Sequence, residues 1–305
     1  MPAPYQLGPN QYGKAQVRLV RVDRDTPRHR VSDLSVTSQL TGDFTAAHTE
    51  GDNAHVVATD TQKNTVYAFA REGVGAPETF LLRLADHFTG SFDWVTGGRW
   101  EAEQYAWSRI PTAASPQGHD HAFVRDGGET RTALVVRDSD ATTVLAGLAD
   151  LVVLKSTGSE FVGFPRDEFT TLADADDRIL ATSVTARWRY AADAGPLDAT
   201  AYDRAYEAAR AAMLDAFAET YSLALQQSLY AMGSAVLDAV PEIAEVRFSM
   251  PNKHHFLVDL TPFDLDNPGE VFSVADRPYG LIEASVLRDG ADSADAAWAL
   301  VGGFC

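Results

Sequence analysis

The feature that most constrains the fold is an order of predicted elements that occurs twice along the chain. In the first half, the alternating segments KAQVRLVRV and VSDLSVTSQLTGDF predict a β-hairpin, and APETFLLRLADHFTGSF has a helical apolar period before the alternating WEAEQYAWSRI. The second half begins with HAFVRDGGETRTALVVRD, which predicts a hairpin with an Asp-Gly-Gly turn. The strand RILATSVTARWRYAA, a long Ala- and Leu-rich helical region and the strands EVRFSM and HHFLVDL follow. The sequence therefore predicts two related α+β halves with a boundary near residues 112–140.

Composition and charge exclude several classes of function. The 305 residues are 45% hydrophobic, which is enough for one large domain or two ordinary ones. The chain carries 43 acidic and 25 basic residues, a formal charge of −18, and its isoelectric point is about 4.7. Its average field therefore repels nucleic acids and anionic lipids. It also has no export signal and no apolar run of membrane-spanning length, so we expect a cytoplasmic protein without a nucleic acid or membrane partner.

The cysteine and histidine content argues against a metal centre. Cys305 is the only cysteine, which excludes an intrachain disulfide and a multi-cysteine metal site. His119 and His121 would share one face of a strand, but no third ligand follows at helical spacing, which favours a solvated loop. No Walker loop or dinucleotide-binding glycine pattern is present. We expect neither a metal nor a nucleotide cofactor.

A histidine doublet in SMPNKHHFLVDL is the strongest single candidate for acid–base chemistry. Because side chains alternate across a strand, His254 and His255 would face opposite sides and could not both serve one site. Alternation places Asn252 on the face of His254. A histidine in a strand is more often structural, although its ordinary pKa near neutrality suits proton transfer.

Two further polar residues are equally ambiguous by themselves. Lys14 follows Tyr-Gly at the start of a predicted strand, where a solvated charge is the usual outcome. Thr59 lies in ATDTQKNT, where a threonine commonly caps a turn. Neither pattern alone separates a structural role from a catalytic one.

Five segments together resemble the urate oxidase (uricase) family. They are YGKAQVRLVRV, HVVATDTQKNTVYAF, LVVLKSTGSEFVGFPRDEFTTL, DRILATSV and MPNKHHFLVDL, in the family's order and spacing from about residue 12 to residue 287. The resemblance implies the α+β tunnelling fold (T-fold) with two tandem domains, residues 10–135 and 136–300. Each would have an antiparallel four-stranded sheet with two helices on one face. It also implies a homotetramer whose active sites lie between subunits, and a reaction without metal or organic cofactor.

The resemblance assigns roles to the residues that match the family's motifs. Lys14, Thr59 and His254 would form a catalytic proton relay, and Asn252 would hold dioxygen, and later water, above the purine ring. The substrate ring would be bound by Thr59, by the backbone at Asp60 and Leu225, by stacking on Phe161, and by the side chains of Arg178 and Gln226.

The implied activity is the oxidation of urate by dioxygen and water to 5-hydroxyisourate and hydrogen peroxide in purine catabolism. The chain ends in GGFC rather than in the Ser-Lys-Leu-like peroxisomal signal common in eukaryotic members, so we expect a bacterial-type cytoplasmic enzyme. The alternatives are another tunnelling-fold protein that acts on purines or pterins, and a purine binder that kept the substrate clamp but lost the relay. The retained Lys14, Thr59, Asn252 and His254 argue against the binder.

Overall fold

The structure is a computed structural model that describes residues 5–139, 141–195, 197–275, 277–291, 295–299 and 301; Cys305 lies outside them. Two compact units divide the chain: Met1–Gly147 with Ala192–Arg204, and Leu148–Ala191 with Ala205–Cys305. The strands are β1 Tyr12–Asp23, β2 Arg30–Gly42, β3 Val95–Gln104, β4 Trp107–Arg109, β5 Phe123–Arg125, β6 Thr130–Asp138, β7 Ala141–Lys155, β8 Leu180–Tyr190, β9 Ile243–Pro251, β10 His254–Leu257, β11 Phe272–Ala275 and β12 Leu281–Leu287. The helices are α1 Thr45–Thr49, α2 Thr59–Glu72, α3 Pro77–Ser91, α4 Ala199–Glu219, α5 Leu225–Ala239 and α6 Asp295–Trp298, with short 3-10 turns at Ala192–Ala194 and Thr261–Phe263.

The first unit is an antiparallel sheet in the order β1-β2-β3-β6 with α2 and α3 packed on one face. Helix α3 begins with a proline at its first turn, where the missing N–H costs nothing, and its apolar residues recur at helical spacing. Phe80, Leu84 and Phe88 of α3 are fully buried in this core. Each such side chain contributes roughly 1.5–3 kcal/mol of transfer free energy, which holds the helices against the sheet.

The second unit has the strand order β7-β8-β9-β12, in which β8, β9 and β12 are antiparallel. Helix α5 packs across β9 and β12, and Gly233 faces Val286 of β12 and Phe248 of β9 at close range. A Cβ at Gly233 would lie 2.5 Å from the Val286 side chain, so the close packing of α5 depends on glycine there. None of the helices in the described residues has the length and apolar character to cross a membrane.

The structure differs from the sequence-based expectation at the Asp-Gly-Gly turn. The predicted hairpin across this turn is wrong, because β5 pairs with β4 and β6 pairs with β3. Strand β6 is buried from Arg131 to Val135, whereas β5 is largely exposed, so the burial of β6 in the sheet of the first unit separates the two strands.

Helix α2 was also missing from the prediction, since only Gln62, Val66 and Ala70 are buried along its 14 residues.

Candidate active site

Lys14 reaches its position through a β-bulge in β1. The pairing register with β2 shifts between Lys14, which is opposite Ser38, and Val17, which is opposite Val36. Three steps along β1 therefore correspond to two along β2, and Gln16 in the bulge has a φ of 54° and donates its N–H to the Thr37 hydroxyl at 3.0 Å. Directly opposite residues of an antiparallel pair share a face, so Lys14 lies on the face of the buried Ser38. This is the face that α2 covers.

The first turn of α2 is held against β1 and β2 by buried polar groups. The Ser38 hydroxyl donates to Gln62 Oε1 at 3.0 Å, and Gln62 Nε2 donates to the Val57 carbonyl at 3.4 Å. The Tyr12 hydroxyl donates to the same carbonyl at 3.2 Å. Ser38 and Gln62 are fully buried, so they place the α2 N-terminus firmly beside the strand pair that carries Lys14.

Thr59 and Asp60 occupy the first two positions of α2. The first backbone hydrogen bond of the helix runs from the Gln62 N–H to the Ala58 carbonyl at 3.1 Å, so the N–H groups of Thr59 and Asp60 precede the helical ladder. No side chain caps this helix end. Free N–H groups and the positive end of the helix dipole make the turn suited to an anionic or carbonyl oxygen.

The Asp60 carboxylate is occupied within its own helix. It accepts hydrogen bonds from Lys63 and, at 2.9 Å, from Asn64. The hydrogen bond from Lys63, followed by the charges of Lys63 and, more weakly, Lys14, lowers the pKa of the Asp60 carboxyl below its usual value. The side chain is thereby directed away from a ligand role, which leaves the backbone of Asp60 for that purpose.

In the second unit, the Arg178 guanidinium lies over the ring of Phe161. Its central carbon is 5.2 Å from the ring centroid, and Phe161 stacks on Phe164 at 5.0 Å with an interplanar angle of 12°. The Nε of Arg178 is buried and, within the described part of the chain, has no hydrogen-bond partner. Partial burial lowers the pKa of Arg178. A desolvated cation without a carboxylate is costly to maintain, which is typical of a group whose partner is a ligand.

One backbone frame brings Phe161, Arg178 and the start of α5 together. Phe161 and Ala175 exchange two backbone hydrogen bonds, at 2.8 and 3.1 Å, and the Arg178 N–H donates to the Ser159 carbonyl at 2.8 Å. On the other side, the Glu160 N–H donates to the Ser222 carbonyl at 2.9 Å. The frame therefore contains both members of the cation–aromatic pair and borders the loop that leads into α5.

Leu225 and Gln226 open α5 beside this frame. Leu225 is the first helical residue and is buried, whereas Gln226 is exposed. The buried Ser228 hydroxyl donates to the Ser222 hydroxyl at 2.8 Å and ties the first turn to the preceding loop. The structure thus places the amide of Leu225 and the side chain of Gln226 at a helix N-terminus next to the segment that carries Phe161.

Asn252 follows the last residue of β9 and is held from both sides. It forms an isolated bridge with Thr182 of β8, and its N–H donates to the Gly280 carbonyl at 2.8 Å. The buried Thr182 hydroxyl donates to the Pro251 carbonyl at 2.9 Å. A cavity of about 410 Å³ opens beside it, lined by Asp150, Ser183, Pro251, Asn252, Lys253, Arg277 and Tyr279.

Replacement of Thr182 by valine should lower the free energy of unfolding by about 0.5–1.5 kcal/mol, because it removes a partly buried hydrogen bond to the Pro251 carbonyl. Thr185→Val is the matched control, since Thr185 lies on the same strand and its hydroxyl makes no hydrogen bond among the described residues. Denaturant unfolding of both variants measures the difference, and equal losses would contradict the role of this hydrogen bond.

The histidine doublet lies on a separate short strand rather than on a continuation of β9. Strand β9 ends at Pro251, and β10 begins at His254 and pairs with β11. Alternation within β10 is as predicted, because the rings of His254 and Phe256 stack at 5.8 Å and 19°. The Nδ1 of His255 instead donates to the Lys253 carbonyl at 3.0 Å. The expected single strand through Asn252 and His254 is interrupted at Lys253, since the Lys253 N–H pairs with the Ala181 carbonyl of β8.

The histidines at positions 119 and 121 lie in the loop between β4 and β5. Their rings are perpendicular, with centroids 4.4 Å apart, and the His121 N–H donates to His119 Nδ1 at 3.3 Å. Across the residues that the structure describes, no group of three or more His, Cys, Asp or Glu residues has an arrangement that could hold a metal ion. The loop that the sequence favoured for His119 and His121 is confirmed, because this segment forms no strand and the two side chains therefore share no strand face.

Three residues important for the geometry were missing from the sequence-based interpretation. Ser38 and Gln62 position the start of α2 beside Lys14, and Thr182 positions the end of β9 beside Asn252. All three are polar and fully buried. A polar residue at a core position of an alternating strand, as Ser38 is between Val36 and Leu40, is the only signal that the sequence offers for them.

Comparison with known proteins places these observations in a family. The chain matches the family described as Uricase over residues 10–136 and 144–283. A uricase of Arthrobacter globiformis is 60% identical over 299 residues, which are 98% of this chain and 95% of that protein. A uricase of Schizosaccharomyces pombe is 36% identical and covers 91% of this chain and 96% of its own length.

Solved structures agree with the sequence comparisons. A crystal structure of the Arthrobacter globiformis uricase has 59% sequence identity and a TM-score of 0.91, and the match covers 97% of this chain and all of that one. A uricase of Bacillus fastidious has 27% identity and a TM-score of 0.75, with 93% and 94% coverage. The predicted α+β tunnelling fold and the family resemblance are thereby confirmed. The chain belongs to the uricase family.

Proposed function

We propose that the chain, a urate oxidase by its family, oxidises urate with dioxygen and water alone, and that it needs no metal or organic cofactor. The products are 5-hydroxyisourate and hydrogen peroxide, so the enzyme is an oxidoreductase of purine degradation. We further propose a cytoplasmic homotetramer. The two tandem domains, residues 10–135 and 136–300, would each contribute one half of every site.

The observation that carries the proposal is the Arg178–Phe161 pair. Its guanidinium has a buried Nε without a partner in the described residues, and it lies over an aromatic ring. A planar anion of aromatic character fits such a group, because the ring of Phe161 can stack on its face while the Arg178 fork binds two acceptors at its edge. The urate anion has both properties.

The remaining contacts would come from the N-termini of α2 and α5 and from the side-chain amide of Asn252. The N–H groups at Thr59 and Asp60 precede the helical ladder of α2, and Leu225 and Gln226 begin α5. We assign the urate edges to these groups, with the Gln226 side chain beside Arg178. Asn252 would hold dioxygen above the ring, and water after peroxide has left.

The proton relay would consist of Lys14, Thr59 and His254. Lys14 lies on the β1 face that α2 covers, and Thr59 begins α2, so the positive charge of Lys14 can favour a deprotonated neighbour while the Thr59 hydroxyl passes the proton. His254, which belongs to the second compact unit, would accept the proton and later return it.

Electron transfer needs no cofactor in this scheme because deprotonated urate is electron rich. Urate loses a proton and donates electrons to dioxygen, a peroxide forms at the ring, hydrogen peroxide leaves, and water adds at the same carbon. One urate, one dioxygen and one water thus give one 5-hydroxyisourate and one hydrogen peroxide. The protein contributes deprotonation, positioning and an anion site shielded from water.

We place the site between subunits because its residues divide between the two compact units. Lys14, Thr59 and Asp60 belong to the first unit, while the residues at Phe161, Arg178, Leu225, Gln226, Asn252 and His254 belong to the second. In the proposed tetramer, the first half of one chain would meet the second half of another.

Purified protein treated with a chelator should remove the ultraviolet absorption of urate, consume one dioxygen per urate and release one hydrogen peroxide. The three signals are measured together by absorbance, an oxygen electrode and a peroxidase-coupled assay. A requirement for added metal would refute the cofactor-free proposal. Binding of urate without oxygen uptake would instead favour the purine-binding alternative.

A further inference from the structure

A carboxylate next to Arg178 holds the turn that leads to Phe161. The Thr157 hydroxyl donates to one oxygen of Asp177 at 2.7 Å, and the Gly158 N–H donates to the other oxygen at 3.0 Å. The Ser159 N–H lies 3.5 Å from the same oxygen as the Gly158 N–H. One side chain thereby binds three consecutive residues of the turn.

The turn that these contacts hold contains a left-handed glycine and a buried serine. Gly158 has a φ of 73°, a left-handed conformation that favours glycine, and it is followed by the fully buried Ser159. The Ser159 carbonyl accepts the N–H of Arg178 at 2.8 Å, and Phe161 follows two residues later. Two adjacent residues thus bind the same turn, Asp177 through its carboxylate and Arg178 through its backbone N–H.

The ionised form of Asp177 is the one that these donors stabilise. The hydrogen bond from the Thr157 hydroxyl, followed by those from the backbone N–H groups, lowers the pKa of the Asp177 carboxyl below its usual value. A carboxyl with a depressed pKa contributes stability above its ordinary pKa and loses it as the pH falls through the lower folded value. At neutral pH the contribution is complete.

We infer that Asp177 is a positioning residue for urate: it fixes the turn at residues 157–159 and thereby sets the spacing between the Phe161 ring and the Arg178 guanidinium. This inference rests on the proposed function, because urate is the planar anion that the pair would bind. Without the carboxylate, three donors of the turn lose their acceptor. The Phe161 ring and the Arg178 guanidinium then lose the turn that supports both of them.

The experiment measures urate binding in the absence of oxygen, where no turnover can occur, followed by steady-state oxidation in air. Asp177→Ala and Thr157→Val should each raise the calorimetric Kd for urate, by about tenfold for Asp177→Ala and less for Thr157→Val. The urate KM should rise with the Kd, while kcat at saturation changes by less than about threefold, because the relay residues are untouched. Thr157→Ser retains the hydroxyl and should restore the wild-type Kd.

Asp176→Asn is the matched control, since Asp176 is the adjacent acid and accepts no hydrogen bond in the described structure. Asp176→Asn should leave the Kd for urate unchanged, which would separate the effect of the Asp177 hydrogen bonds from a general loss of negative charge. The inference is overturned when wild-type protein binds urate anaerobically and both Asp177→Ala and Thr157→Val bind it equally well. If Asp177→Ala does not fold, the Thr157→Val and Thr157→Ser pair decides. Absence of urate binding and oxidation in the wild type would instead refute the proposed function.

Discussion

Replacement of His254 by alanine should lower kcat for urate oxidation by about 10²- to 10⁴-fold, the range typical of a lost acid–base group. The same change at His255 should cost less than about tenfold. The two histidines lie on opposite sides of β10. The His254 ring stacks on Phe256, whereas His255 donates through Nδ1 to the Lys253 carbonyl and therefore has a structural contact.

Each variant serves as the control for the other, because both remove an imidazole from the same short strand. Steady-state urate consumption gives kcat, and thermal unfolding shows whether the fold is retained. His255→Ala should lower the unfolding temperature more than His254→Ala, since it removes a hydrogen bond. Equal losses of kcat in the two variants would contradict the separation of roles.

Replacement of Arg178 by methionine should lower kcat/KM for urate by about 10²- to 10⁴-fold. The estimate corresponds to two hydrogen bonds to a charged group, each of about 1.5–3 kcal/mol. Arg178→Lys keeps a positive charge but loses the planar fork, so it should recover only part of the loss. Most of the effect should appear in the Kd for urate measured without oxygen.

Arg178→Met should leave the free energy of unfolding unchanged or raise it. The Nε of Arg178 is buried without a partner among the described residues, and partial burial lowers the pKa of the guanidinium, so the charge is a cost in the unliganded protein. Methionine can retain the packing on Phe161 without that cost. Arg71→Gln is the control, because Arg71 is exposed in the other unit and should affect neither property. A large drop in unfolding temperature with Arg178→Met would show that the residue is structural.

Much of the fold could be predicted because it depends on local periodicity. Helix α3 has apolar residues at 80, 81, 84 and 88, and the β1–β2 hairpin has two alternating runs, so both were predicted. Helix α2 was missed because its buried stripe is narrow and includes Gln62. The pairing of β5 with β4 was missed because choosing strand partners is a long-range decision that the Asp-Gly-Gly turn does not determine.

The candidate site divides in the same way. The PNKHH motif identified His254 and Asn252 as candidate site residues. Strand alternation correctly placed His254 and His255 on opposite sides of β10. The break at Lys253 was not predictable from β-strand periodicity, since it arises from pairing with Ala181 of another strand. The supports at Thr182 and Asp177 also depend on contacts with segments distant along the chain, at Pro251 and Thr157 respectively.

Local patterns in the sequence were enough to predict α3, the β1–β2 hairpin and the family, and they named the residues that we propose for catalysis. The face that Lys14 occupies, in contrast, follows only from the pairing of β1 with β2. Counting back from the buried Val17 by strict alternation puts Lys14 on the opposite, polar face. The bulge at Gln16 adds one residue to β1 and reverses this, so Lys14 lies opposite Ser38 on the face that α2 covers. The physical reason is that the bulge depends on the register between β1 and β2, including the bond to Thr37, and no pattern within β1 records that register.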